Sequence, residues 1–109
     1  MGFKSGALWM GLAASLIVFP GHAGMDVHEE ALGRQLAEER CSACHAIAQG
    51  RQSPHGEAPP FAEIVKVYPP ESLEEALAEG IMVGHEDMPE FAFTPEEVAQ
   101  FVAYLKSLQ

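Results

Sequence analysis

Cys41-Ser42-Ala43-Cys44-His45 decides how this chain is read. Two thiols three residues apart, followed at once by an imidazole, form a covalent attachment site for a c-type haem. Each cysteine can add across one vinyl group of the ring, while the histidine, held beneath it, supplies one axial nitrogen to the iron. A bare Cys-x-x-Cys has two rivals, a dithiol redox pair and half of a zinc site. The first expects strands alternating with helices around the motif. The second needs further ligands, and the chain has no other cysteine. With His45 in place, Cys41 and Cys44 are read as the anchors of one haem c and His45 as its proximal ligand.

Upstream, the chain opens like an export signal. Lys4 precedes an apolar run over 7–19, and Pro20-Gly21 breaks it ahead of the small residues of Gly21-His22-Ala23. Thirteen residues fall short of the roughly 20 that a helix needs to cross the hydrocarbon core. The expected organisation is therefore a signal peptide over 1–23, cleaved after Ala23, and one domain over 24–109. This implies a periplasmic location without stable membrane insertion. So small a domain needs help to build a core, and a buried haem supplies a large apolar surface.

All sixteen Asp and Glu lie in 24–109, against five Lys and Arg, a formal balance of −11. That excess excludes nucleic acid as a partner and favours basic protein surfaces, although it serves solubility equally well.

The pattern along the domain is helical, and no segment alternates with period two. Residues 26–44 carry good helix formers, with Gly33, Ala37 and Cys41 four apart on one smooth face. Gly50, Ser53, Pro54, Gly56, Pro59 and Pro60 make 46–60 an irregular loop. A short amphipathic helix follows over 61–68 and stops at Pro69-Pro70. Ser72 with Glu75 reads as a capping box for the next helix, which turns Leu73, Ala76 and Leu77 to the core and ends near Gly80. The clearest start signal belongs to the last helix: Thr94 as N-cap, Pro95 at the first position, Glu97 closing the box. Val98, Phe101, Val102, Leu105 and Leu108 then form its apolar stripe.

A second axial ligand has to come from Met25, His28, His55, Met82, His85 or Met88. Met88 is the choice: it sits between helices, Pro89 biases its backbone toward an extended form, and it is distant enough from His45 to reach the opposite haem face. His85, three residues away, is its competitor, Met82 is read as packing, and His28 and His55 as surface residues. On the His45 side, a backbone carbonyl from the Pro59-Pro60 pair is expected to hold the other ring nitrogen and fix the tautomer.

These residues resemble the class I cytochromes c, in particular the short bacterial monohaem type. Gly33 stands eight residues before Cys41, where that family has a small residue at a helix crossing. Ala103-Tyr104-Leu105-Lys106 is similar to its C-terminal helix, and Met88-Pro89-Glu90-Phe91 to its methionine-ligand loop. The resemblance implies an all-α cytochrome c fold of four to five short helices wrapped around one covalently attached haem. Its N- and C-terminal helices would cross nearly at right angles, Gly33 and Ala37 meeting Phe101 and Tyr104. Ala37 departs from the family, where many members carry an aromatic, and the short span from His45 to Met88 implies a missing bottom loop and a more exposed haem edge.

What it implies about activity is a one-electron carrier rather than an enzyme. Low-spin iron held by His45 and Met88 would exchange electrons with redox protein partners, and the carrier would be monomeric. Two alternatives stay open: a haem site whose distal ligand lets go for a small molecule, as in a sensor or a peroxidase-like enzyme, and a dedicated haem subunit of a periplasmic oxidoreductase complex.

Overall fold

Helix α1, Ala23–Arg40, starts one residue before the expected domain boundary. It belongs to a computed structural model that describes every residue except 4, 5, 7–10, 12, 20–22 and 81–86. Lys4 and Pro20-Gly21-His22 of the expected leader, and the ligand candidates Met82 and His85, lie outside the described residues. Among those described, four α-helices and one 3₁₀ turn account for all regular structure, with no strand, as an all-α fold requires. No helix among them is long and apolar enough to cross a membrane.

Ion pairing and hydrogen bonding at i,i+4, Arg34 with Glu38 and Gln35 with Glu39, lie along the solvent side of α1. The helix ends earlier than the expected 26–44. The Cys41 and Ser42 N–H groups both bond to the Ala37 carbonyl, and those of Cys44 and His45 both bond to the Cys41 carbonyl. The attachment motif is therefore a tight turn rather than a last helical turn. The bonds mix i→i−3, i→i−4 and i→i−5 spacings, so the regular α-helical ladder stops at the motif.

Helix α2, Phe61–Val67, buries Phe61, Ala62 and Val65 and ends where Tyr68 turns extended ahead of Pro69. Pro70–Leu73 forms the 3₁₀ turn, and α3, Glu74–Glu79, grows directly from it. Here the expected capping box is absent: the Ser72 hydroxyl donates instead to the Pro69 carbonyl, and Leu73 occupies the N-cap with no side-chain cap. The two prolines preset a tight turn that folds Ser72 back over it, so α3 inherits a nucleated start and needs no cap. Helix α3 ends at Gly80, whose φ of 108° only glycine adopts easily.

Helix α4, Pro95–Lys106, begins as expected, with both halves of the Thr94/Glu97 capping box formed. Glu97 also binds Arg40 at 3.0 Å, and the Arg40 guanidinium lies 5.2 Å over the Phe93 ring, so the end of α1 is fastened to the start of α4. Contact between these two helices is the most extensive among the described elements. At Gly33 they meet closely: a Cβ there would overlap the Gln100 carbonyl oxygen and stand 2.9 Å from Tyr104 Cβ. At Gly33 the crossing uses the backbone of Gln100 and the stem of Tyr104, while the Phe101 ring turns toward the core between Phe61 and Phe93, in the same buried cluster as Ala37. Ala37 is wholly buried in the same core.

Candidate functional site

The loop over 46–60 is irregular but well fastened. The Phe61 N–H bonds to the Ala46 carbonyl at 2.9 Å, the His55 N–H to the Cys44 carbonyl at 3.1 Å, and the Ser53 hydroxyl accepts the Ala46 N–H at 3.0 Å. The Tyr104 hydroxyl donates to the Ile47 carbonyl, and the Gln49 amide to the Leu108 carbonyl. These ties bring Pro59 back beneath His45. The Pro59 carbonyl lies 2.7 Å from His45 Nδ1 and can only accept, so Nδ1 carries the proton and Nε2 keeps the lone pair that a metal needs. Pro60 does other work: its carbonyl takes the Glu63 and Ile64 N–H groups at the head of α2.

His45 is buried and its ring sits 5.3 Å from that of Phe61. From there the aromatic contacts continue to Phe101, Phe93 and Phe91, reaching the segment that carries Met88. Phe61, Phe91 and Phe101 form part of the wall of a cavity of about 490 Å³, into which Cys41, His45, Met88 and Pro59 open beside Ile64, Leu77 and Leu105. The segment after α3 is fixed at its return, where the Phe93 N–H bonds to the Leu77 carbonyl at 2.8 Å. Cys41 is buried and Cys44 half-buried, and the two sulfurs are not bonded to each other. Burial pushes the Cys41 thiol up to about 11, so its sulfur is uncharged at neutral pH, as an apolar wall requires.

A thiol, a lone-pair nitrogen of assigned tautomer and a thioether at one apolar cavity, with the second thiol, Cys44, in the same turn as Cys41 and His45, suit a covalently held haem. Among the described residues no three His, Cys, Asp or Glu side chains converge as a structural zinc ion would demand. His28 is exposed, and His55, about one-third exposed at its side chain, contacts the Asp87 carboxylate at the surface. Phe61, Phe93 and Gln100 were not singled out in the sequence. An N-terminal helix position after Pro59-Pro60 is a signal for Phe61, but Phe93 looks like loop and Gln100 like a solvent residue.

A family model described as Cytochrome c matches residues 30–109 of this chain. A cytochrome c-552 of Bradyrhizobium diazoefficiens is 31% identical over 77 residues, 71% of this chain and 72% of that protein. No solved structure gives a significant match.

Proposed function

The chain belongs to the cytochrome c family, whose members carry electrons on covalently bound haem c, and from that premise we propose a periplasmic one-electron carrier linking redox partners in a respiratory or dehydrogenase-linked chain. When bound, the haem supplies an iron that takes up and releases one electron. Cys41 and Cys44 hold it through thioethers. His45 Nε2, oriented by the Nδ1–H bond to the Pro59 carbonyl, and the Met88 thioether would ligate its iron. A thioether rather than a second imidazole favours the reduced state, and the walls of Phe61, Leu77, Phe101 and Leu105 act in the same direction by excluding water. The observation that carries this reading is the single apolar cavity shared by Cys41, His45 and Met88.

Residues 1–23 act as the export signal in this proposal, and the mature protein works as a monomer. Its partners present basic surfaces to the acidic domain, so electron exchange with them slows as salt is added. The test is spectroscopic. Purified protein is expected to hold one covalent haem by mass and to show a low-spin spectrum with the weak long-wavelength band of ferric iron bound to methionine. Met88→Ala should abolish that band, and a variant that keeps it removes Met88 from the site. Rapid binding of carbon monoxide by the reduced wild type would replace the carrier with a small-molecule binder.

A further inference from the structure

A side-chain contact joins the loop that leaves the attachment motif to the segment that carries Met88. His55 Nε2 lies 3.2 Å from Asp87 Oδ2, linking residues 32 apart in the chain. Asp87 immediately precedes Met88. The polarity of the contact follows from the other side of the ring: the Glu57 N–H donates to His55 Nδ1 at 3.2 Å, so Nδ1 has no proton and Nε2 has one. The neutral imidazole therefore already donates to the carboxylate, with no need to become charged. Its backbone is equally placed, because the His55 N–H bonds to the Cys44 carbonyl and the His55 carbonyl takes the Ala58 N–H. One end of the contact is thus anchored to the attachment motif and the other to the residue before Met88.

We propose that His55 is a positioning residue for Met88: through Asp87 it straps the methionine segment to the loop that follows the attachment motif and slows the departure of the thioether from the iron. This rests on Met88 being the distal ligand. Asp87 is 68% exposed at its side chain and His55 32%, so the strap adds a bias to the closed segment rather than locking it. The Phe93–Leu77 hydrogen bond holds the segment after Met88, and the His55–Asp87 bond ties the residue immediately before it.

The experiment is displacement of the methionine by added imidazole in ferric holoprotein, followed through loss of the long-wavelength band. His55→Ala and Asp87→Ala are each expected to speed displacement about two- to five-fold, the size of one exposed charge-assisted contact. The double variant should go no faster than the faster single, and His55→Gln, whose amide can still donate, should recover part of the wild-type rate. Unchanged rates in both single variants, or effects that multiply in the double, overturn the strap. So does faster displacement accompanied by a proportionate fall in the urea midpoint, which would mark a general structural role. A wild type that lacks the methionine band overturns the ligand assignment and the strap together, whereas a normal band with unchanged displacement overturns the strap alone.

Discussion

Gly33→Ala tests the helix crossing on which the cavity stands. An added methyl at 33 would overlap the Gln100 carbonyl oxygen and lie 2.5 Å from its carbon and 2.9 Å from Tyr104 Cβ. Carbon atoms in contact prefer about 3.5–4.0 Å, so α1 and α4 would have to part by about 1 Å. No side-chain rotation relieves an overlap with backbone. Overpacking of this kind reaches the upper end of a range of about 1–3 kcal/mol, while replacing glycine by alanine inside a helix returns about 1 kcal/mol. The net expectation is a loss of about 2 kcal/mol, a fall in thermal midpoint of about 8–16 °C for a domain this small. The assay is thermal unfolding of ferric holoprotein, with Gly56→Ala as the companion, since a Cβ at 56 meets nothing within 4 Å. Were Gly33 only a weak point on a solvated helix, the substitution would raise the midpoint. A midpoint equal to or above that of wild type therefore refutes the crossing.

At the start of α4, Thr94→Ala should cost about 1 kcal/mol by denaturant unfolding, the usual value of an N-cap. Glu97→Ala should cost more, because Glu97 Oε2 accepts the Thr94 N–H while Oε1 holds Arg40; equal losses would remove the link to α1. The Lys106 ammonium, 2.7 Å from Glu71, holds that carboxyl below its ordinary value of 4.5. Its small contribution to stability is therefore complete above that pH and lost as the pH falls through the lower folded-state value. Glu71→Gln should flatten this part of the acid limb in urea midpoints measured against pH, and an identical limb would show that the pair contributes nothing.

Much of the site was legible before any tertiary structure, for reasons that are local. Covalent attachment needs its groups a few residues apart, so Cys41, Cys44 and His45 appear as one contiguous motif. The capping box at Thr94 and the apolar stripe of α4 are likewise properties of one helical segment. The missed start of α3 shows the limit of such reasoning. Ser72 and Glu75 have the right spacing, but Pro69-Pro70 supplied a competing turn that took the Ser72 hydroxyl. Phe93 offered no periodic signal, being outside any helix, yet it is buried under Arg40 and against Phe101.

By itself the sequence determined the cofactor chemistry, the helical class and the smooth face at Gly33, since each depends on residue identity at short spacing. Only the tertiary structure decided which of the two prolines serves His45, that Gln100 backbone rather than the Phe101 ring meets Gly33, and that His55 reaches Asp87. Those choices depend on groups 14, 67 and 32 residues apart, brought together when chain reversals and helix packing close around one cavity, and no local pattern encodes such distances.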